Sequence, residues 1–265
     1  MLDIVANGEF GYEMVLAVPY AYWLHETGNL RSTTSCIDTK PLYFFSDNHT
    51  EYFQKRSDCL GDHTHIPGCS FYNLHTRYPN FSKWKFPDYN SHFKNDIFVY
   101  NKPLMIVSNK RYSNGSTQRH GSFTDNQLRL IFDTFNNDYR IIYNRAKSNK
   151  ITVDVQIPND TDSDFELLKD YNNIIDINVL HDSYRDQYTF NELQFMLHAN
   201  CDTFISVQGG SSILSSAFGG RNLIYATSGQ ELIFNSFAWY TEFSKCNIMH
   251  AADFNTFTQL MLNFK

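Results

Sequence analysis

The chain has 265 residues, of which 42% are hydrophobic and 16% aromatic, and a formal net charge of −6. This length suits one large domain or two smaller ones, and the composition excludes a disordered or fibrous chain. The negative charge argues against a nucleic acid or an anionic membrane as a partner. The five cysteines are an odd and sparse set, which predicts free thiols in a reducing compartment.

Two hydropathy signals are missing from the sequence. Its beginning, MLDIVANGEFGYE, has no basic segment followed by a long apolar one. No run of about 18 consecutive apolar residues occurs, so no membrane-spanning helix is predicted. We therefore expect a cytoplasmic protein without a membrane partner.

Residues 1–100 are predicted to form a first α/β unit. A short strand and a glycine-containing turn precede an apolar helix from about Met14 to Glu26, which ends at Gly28. The aromatic run PLYFFS (41–46) predicts a second strand. The stretch that follows is rich in aromatic and turn-forming residues without a clear period. Such composition predicts long loops with short helices that a ligand could contact.

From residue 102 onward, strand patterns alternate with helix patterns. The predicted strands are 103–109, 139–144, 172–177, 202–208 and 221–226. The predicted helices are 124–137, 189–200, 212–218 and 252–263. This alternation predicts a doubly wound parallel sheet, so that residues 101–265 form a Rossmann-like domain facing the first unit across a cleft. Ligands of such sheets bind beyond the carboxyl ends of the strands. Three turns of this sequence follow predicted strands and could contact a ligand there.

The first turn is ANGEFGYE (6–13). Gly8 and Gly11 let the backbone approach a ligand where the helix begins. Glu9 could act as a general base that takes a proton from a hydroxyl group. Alternatively, Glu9 and Glu13 complement the dipole of the helix N-terminus.

The second turn is SNKRYSNGS (108–116). It brings Asn109, Lys110 and Arg111 to the end of the first strand of the second unit. Two adjacent cations suit a diphosphate, since arginine binds it by a fork and lysine as a point charge. A solvated surface pair is an equally good interpretation of these residues in isolation.

The third turn is QGGSS (208–212). Gly209 and Gly210 permit a tight turn after a strand, and Ser211 and Ser212 are predicted to cap the next helix. Amides and hydroxyls at this terminus, with Gln208 before them, could hold phosphate oxygens. Gly219 and Gly220 are predicted to end the same helix. Further on, Glu231 could accept hydrogen bonds from ligand hydroxyls, or could simply begin another helix.

Other patterns predict chemistry less specifically. Cys59, His63, His65 and Cys69 offer zinc-ligand types, but their spacing matches no standard zinc site, which favours ordinary loop residues. Asp160 and Asp162 could chelate a metal together with a nucleotide sugar, although their polar context favours an exposed loop. QGGSS lacks the second flank of a nucleophile elbow, so serine catalysis is not indicated.

Taken together, NGEFGYE, NKR and CDTFISVQGGSSILSSAFGGRNLIYATSGQE resemble glycosyltransferases of the GT-B architecture. The chain looks most like the small enzymes with which chlorovirus-type algal viruses build capsid glycans. The resemblance implies two Rossmann-like halves, of which the second binds a nucleotide-sugar donor and the first an oligosaccharide or glycoprotein acceptor. It implies no cofactor and no catalytic metal. For a viral enzyme, the expected location is the host cytoplasm.

The resemblance also assigns roles to residues. It implies that Glu9 is the base, as in fucosyltransferases with a Gly-Glu pair in this loop. Because no clear EX7E motif is present in the second half, an inverting single displacement is favoured. UDP-xylose is the first expected donor and GDP-fucose the second. The implied donor contacts are Asn109, Lys110, Arg111, Gln208, Gly209, Gly210, Ser211, Ser212 and Glu231, and the implied acceptor contacts are Gly8, Phe10 and Glu13.

Two other functions are compatible with the sequence. The chain could be a non-catalytic module that binds a sugar or nucleotide, in which Glu9 is only a charge at a helix terminus. It could instead be a metal-dependent glycosyltransferase that uses Asp160 and Asp162. Replacement of Glu9 tests the first alternative, and activity in a chelator tests the second.

Overall fold

The computed structural model describes residues 1–57, 66, 84–110, 121–152, 162–228, 230–233 and 235–264. The described residues form two sheets, and every pair of neighbouring strands in both sheets is parallel. The predicted α/β class with two halves is therefore confirmed.

The first sheet has three strands in the order β1-β2-β3, which span Leu2–Val5, Leu30–Cys36 and His49–Phe53. A long helical segment joins β1 to β2 and comprises α1 (Phe10–Tyr12), a π-helical turn (Glu13–Ala17) and α2 (Val18–Glu26). Pro19 at the start of α2 has no amide hydrogen, so it interrupts the regular bonding pattern where the π-helical turn ends. Gly28 has a φ of 67° and ends the segment as predicted.

The strand predicted at 41–46 is wrong. Lys40–Tyr43 forms a 3₁₀ helix, with Pro41 in its first turn, where a missing amide hydrogen costs nothing. Tyr43 and Phe45 are buried and Phe44 is half-buried, because this stretch packs into the core from a turn. Two strands of the first sheet were not predicted. Strand β2 reads LRSTTSC and is too polar to show an apolar pattern, and β3 lies in the stretch after residue 46 that was predicted to form loops and short helices.

The second sheet has six strands in the order β6-β5-β4-β7-β8-β9. These strands are β4 (Leu104–Ser108), β5 (Arg140–Asn144), β6 (Ile174–Asp176), β7 (Thr203–Val207), β8 (Arg221–Tyr225) and β9 (Asn247–Ala251). All five predicted strands are confirmed, and β9 is an additional edge strand. Counted from β4, the order is 3-2-1-4-5-6, which is that of a dinucleotide-binding fold. The order reverses between β4 and β7, and in folds of this kind a ligand binds at the carboxyl ends of the two strands where the order reverses.

Nine α-helices follow the first sheet within the described residues. They are α3 (Tyr89–Phe93), α4 (Asp125–Phe135), α5 (Ser163–Leu168), α6 (Ile177–Tyr184), α7 (Phe190–Ala199), α8 (Gly210–Ala217), α9 (Gln230–Ile233), α10 (Phe237–Ser244) and α11 (Phe254–Leu262). Side-chain caps begin two of these helices: Thr124 forms a capping box with Gln127, and Thr189 caps α7. Gly219 and Gly220, with φ values of 76° and 64°, end α8 as predicted.

The two halves share one apolar core. Buried residues of the helical segment after β1 belong to the same cluster as those of α7, α8 and α10, on one face of the second sheet. A second cluster fills the other face, under α4 and α11. Helix α3 packs on α7, and Asn95 and Asn200 bond to each other, so the residues just before position 100 pack with the second half.

Asp38 joins the two halves at the end of β2. Its φ is 62°, and its carboxylate accepts a hydrogen bond of 2.8 Å from the backbone amide of Asn191 in the first turn of α7. Its backbone carbonyl accepts a second bond, of 2.5 Å, from the Asn191 side chain. Burial raises the pKa of Asp38 to about 6, although bonds from Thr189 and Asn191 oppose this rise. The ionised carboxylate is therefore destabilising in the folded protein.

Replacing Asp38 by asparagine should stabilise the protein near pH 7.5 by about 1–2 kcal/mol. Between pH 4 and 6 the Asp38 carboxyl is ionised in the unfolded chain but still protonated in the folded protein. The free energy of unfolding of the wild type therefore falls as the pH rises through that window. Asparagine keeps the acceptor oxygen, carries no charge and tolerates a positive φ. Thermal unfolding at pH 7.5 and at pH 4 would measure the effect, which should shrink at pH 4. The exposed Asp47 provides a control, Asp47→Asn, and a less stable Asp38→Asn protein at pH 7.5 would contradict the prediction.

Candidate active site

Lys110 crosses the gap between the two central strands of the second sheet. It follows β4, and its ammonium donates a hydrogen bond of 2.5 Å to the carbonyl of Gln208, which follows β7. Gly209 comes next, with a φ of 119° that side-chain-bearing residues rarely adopt. A Cβ atom on Gly209 would lie 3.2 Å from the Lys110 ammonium. The glycine therefore permits a cation to lie at the turn that begins α8.

The N-terminus of α8 lies beside this cation. Gly209 is the N-cap residue, so the helix begins earlier than predicted, and Ser211 and Ser212 lie in its first turn and are not caps. Ser212 is buried, and its hydroxyl donates back to the Gly209 carbonyl at 2.8 Å. The Gly209 carbonyl accepts hydrogen bonds from the backbone amides of Ser212 and Ile213. The amides of Gly210 and Ser211 come before these two, at the start of the helix. These two amides and the positive end of the helix dipole are groups that can bind an anion, and they lie next to Lys110.

Gln208 connects this turn to α9. Its side-chain amide donates to Glu231 at 2.5 Å, and Glu231 lies in the first turn of α9. Gln208 is 1% exposed, and its amide oxygen has no hydrogen-bond partner among the described residues. A buried acceptor without a partner is costly, so a ligand hydroxyl or N–H group would be favoured there.

The glycine turn of the first half packs directly on the N-terminus of α8. A Cβ atom on Gly11 would lie 2.8 Å from Cδ1 of Ile213, and one on Gly210 would lie 3.1 Å from Cδ1 of Phe10. The first and third predicted turns, which are about 200 residues apart in the sequence, are therefore in direct contact. Glu9 precedes Phe10 and is half-buried at this junction.

Three charged groups converge at the junction. Burial lowers the pKa of Lys110 to about 8, and the carboxylates of Glu231 and Glu9 oppose that lowering. Burial also raises the pKa of Tyr240 well above its ordinary range, with contributions from Glu231, Tyr12 and Glu9. Lys110 thus shares its surroundings with one carboxylate from each half, and Tyr240 borders the same region.

Two predicted contact residues lie in the interior. Glu13 is buried, and its carboxylate accepts hydrogen bonds from Ser35, from Tyr43 at 2.8 Å and from Arg56 at 2.6 Å. Asn109 exchanges hydrogen bonds with the backbone of Phe123, at 2.9 and 3.2 Å. These placements favour supporting roles: Asn109 orients the turn that presents Lys110, and Glu13 braces the helix that follows Glu9.

The other patterns fall outside this junction. Asp162 forms an ion pair of 3.2 Å with Arg145, which also binds the buried Asp164. The ring of His198 lies 3.4 Å from the hydroxyl of Ser215, but both residues are buried in the core, and burial lowers the pKa of His198 to about 4. The positions that lie outside the described residues are Arg111, Asp160, Cys59, His63, His65 and Cys69.

The described part of the chain lacks two kinds of feature. No cluster of three or more histidine, cysteine, aspartate or glutamate side chains there could hold a metal ion. None of the helices described is long and apolar enough to cross a membrane.

The pKa of Lys110 predicts how an anionic ligand binds. A diphosphate favours the protonated ammonium, so affinity should be highest below pH 8 and should fall up to about tenfold per pH unit above it. Titration calorimetry with UDP, GDP and ADP at pH 7 and pH 9, in buffers of different ionisation enthalpy, should also detect proton uptake near pH 8. In a Lys110→Met protein the affinity should be low and independent of pH. Equal affinity of the wild type at both pH values would contradict the prediction.

The fold resembles solved glycosyltransferase structures. Superposition on the E. coli ADP-heptose lps heptosyltransferase II gives a TM-score of 0.56 at 7% identity, covering 98% of this chain and 97% of that chain. E. coli heptosyltransferase WaaC with ADP matches at a TM-score of 0.44 and 10% identity, over 96% and 76% of the two chains. No protein-family model matches the sequence, and no curated protein matches it. At this identity the first superposition shows the fold alone: the chain has the two-domain α/β architecture named GT-B.

Proposed function

We propose that the protein is an inverting, metal-independent glycosyltransferase that moves a sugar from a nucleoside-diphosphate donor to a hydroxyl of a glycan acceptor. One observation carries the proposal. At the strand-order reversal of a dinucleotide-binding sheet, the Lys110 ammonium lies beside the N-terminus of α8, and the loop bearing Glu9 packs against that terminus. An anion site beside a carboxylate from the other half is what a displacement at an anomeric carbon requires.

The reaction is a single displacement. Glu9 takes the proton of the acceptor hydroxyl while its oxygen attacks the anomeric carbon, and the bond from that carbon to the donor phosphate oxygen breaks. The bonding electrons leave with the nucleoside diphosphate. Lys110 and the amides of Gly210 and Ser211 stabilise the negative charge on this leaving group, because they are already oriented before it forms. Attack opposite to the leaving group inverts the configuration at the anomeric carbon.

The remaining residues bind and orient the substrates. Glu231 and the unpartnered amide oxygen of Gln208 accept hydrogen bonds from donor hydroxyls. Arg111, next to Lys110 in the sequence, adds a second cation for the diphosphate. Gly8 and Phe10 line the acceptor side of the junction. The acceptor is an oligosaccharide or a glycoprotein glycan.

The proposed donors rest on the sequence resemblance and on one solved neighbour. UDP-xylose remains the first candidate and GDP-fucose the second, by resemblance to the chlorovirus enzymes. ADP-linked sugars join them because the neighbouring E. coli enzyme is named for ADP-heptose. The proposed location is the cytoplasm, which for a viral protein is that of the host.

A thermal-shift panel followed by a transfer assay tests the proposal. UDP, GDP, ADP and CMP and their sugars should be compared, since a ligand that binds only the folded protein raises its melting temperature. We expect one nucleoside diphosphate to raise it, and its sugar to be transferred equally well with EDTA present. No shift with any nucleotide would overturn the proposal. Loss of transfer in EDTA would instead favour the metal-dependent mechanism through Asp160 and Asp162, although Asp162 is paired with Arg145.

A further inference from the structure

A buried ion pair lies directly behind the loop that bears Glu9. The Arg56 guanidinium binds the Glu13 carboxylate at 2.6 Å, with side-chain exposures of 4% and 0%. The same guanidinium nitrogen donates a hydrogen bond of 2.9 Å to the carbonyl of Gly8. The guanidinium also lies over the Phe10 ring, 5.3 Å from its centroid. Arg56 therefore contacts the residues on both sides of Glu9.

Glu13 completes this arrangement from the other direction. Its backbone amide donates to the Glu9 carbonyl at 3.0 Å, so the two residues are one helical turn apart on the same segment. Its carboxylate receives three further donors: the Ser35 and Tyr43 hydroxyls and Arg56. The Ser57 amide, adjacent to Arg56 in the chain, donates to the Asn7 carbonyl at 2.7 Å. Residues 7–10 are thus held by contacts with Arg56, Ser57 and Glu13.

Stability alone does not explain a buried pair of this kind. Removing two charges from water is costly, and well-packed apolar residues often replace such pairs without loss of stability. A fixed, planar donor that bridges a carboxylate and a backbone carbonyl does provide geometric precision, which an apolar replacement cannot. Phe10 and Gly11 also fit closely against Gly210 and Ile213, so a small shift of the loop toward α8 would cause clashes.

We propose that Arg56, fixed by Glu13, is a positioning residue for the transfer reaction: it sets the Gly8-Glu9-Phe10 loop so that Glu9 faces the donor site at the N-terminus of α8. This inference rests on the proposed function, because it gives the loop a catalytic geometry to maintain. Arg56 itself contacts neither substrate. Its loss should therefore change the rate of transfer and leave donor binding intact.

Two variants test the inference. Arg56→Lys keeps the charge opposite Glu13 but lacks the planar fork. The double variant Glu13→Gln with Arg56→Met removes both charges, so that neither is left buried and unpaired. The matched control is Asp3→Asn with Arg31→Met, which removes an exposed carboxylate–arginine pair from β1 and β2 of the same sheet.

We expect both Arg56 variants to lower kcat by up to about 100-fold, since small misplacements of a catalytic group can cost that much. The Kd for the donor nucleotide, measured by calorimetry, should stay within about twofold of wild type, because the loss affects the transfer step and not substrate binding. The control pair should leave both quantities unchanged.

Unchanged kcat in both variants would overturn the inference, as would a parallel loss of donor binding, which would indicate a purely structural pair. These outcomes differ from failure of the proposed function. If the wild type transfers sugar and Glu9→Gln does not, while both Arg56 variants do, only the positioning role is wrong. If the wild type transfers no sugar, the proposed function and the positioning role fail together.

Discussion

Replacement of Glu9 by glutamine should reduce kcat by about 1,000-fold, within the range that a general base contributes. Glutamine has nearly the same shape and keeps a hydrogen-bonding oxygen, but it cannot take the proton of the acceptor hydroxyl. Glu9 begins α1 as its N-cap residue without a side-chain capping bond, so the substitution costs the helix little. The melting temperature should therefore stay close to that of the wild type.

Donor binding should survive this substitution. The Glu9 carboxylate raises the pKa of Lys110, so its removal lets that pKa fall somewhat below 8, and the ammonium remains mostly protonated at pH 7. The Kd for the donor nucleotide at pH 7 should stay within about threefold of wild type. Single-turnover transfer and calorimetry at pH 7 separate the two quantities.

Glu231→Gln is the matched control because Glu231 is the other carboxylate near Lys110. This variant should weaken donor binding and leave kcat at saturating donor nearly intact. A Glu9→Gln protein that turns over like the wild type would show that Glu9 is only a charge at a helix terminus. A wild-type protein that binds the donor nucleotide but transfers no sugar would instead fit a non-catalytic sugar- or nucleotide-binding module.

The second half was predictable because its signals are local. Strand β4 reads LMIVS and is buried throughout, and Thr124 and Thr189 cap their helices with donors a few residues away. Strand β2 was missed because LRSTTSC pairs on both edges and buries serine and threonine, which no apolar pattern reveals. Tertiary pairing, and not local preference, makes it a strand.

The candidate site was predictable in part for the same reason. Glycines after strands marked the turns that contain Glu9 and Gly209, because the backbone requirement is local. The partners of those turns were not predictable. Arg56 lies in an aperiodic stretch, 43 residues from Glu13, and nothing in the sequence relates the two. The charges of Glu9 and Glu13 look alike in sequence, yet Glu9 lies at the junction and the Glu13 carboxylate is enclosed by three hydrogen-bond donors from the protein.

Close packing explains why the two glycine turns belong together. Gly11 and Gly210 face each other across the junction, and a side chain on either would meet Ile213 or Phe10. Because neither glycine has a side chain, the backbone that carries Glu9 approaches the terminus of α8 directly. A base and an anion site must be close for a displacement reaction, and these glycines provide that proximity.

Gly209→Ala should weaken donor-nucleotide binding by about 30- to 100-fold while leaving the rest of the fold intact. Alanine at a φ of 119° costs about 1–3 kcal/mol, so the turn would relax toward another conformation. Its methyl group would also approach the Lys110 ammonium, at 3.2 Å. Either the Gly210 amide rotates away or Lys110 withdraws, and each change removes a donor to the diphosphate.

Gly28→Ala separates this effect from ordinary backbone strain. Gly28 also has a positive φ, of 67°, but a Cβ atom there would meet nothing within 4 Å. That variant should lose about 1 kcal/mol of stability and bind the donor nucleotide as the wild type does. Calorimetry and thermal unfolding of both variants make the comparison. If Gly209→Ala binds the nucleotide as tightly as Gly28→Ala does, the diphosphate is not held at the N-terminus of α8, and the donor site must be sought elsewhere along the carboxyl edge of the second sheet.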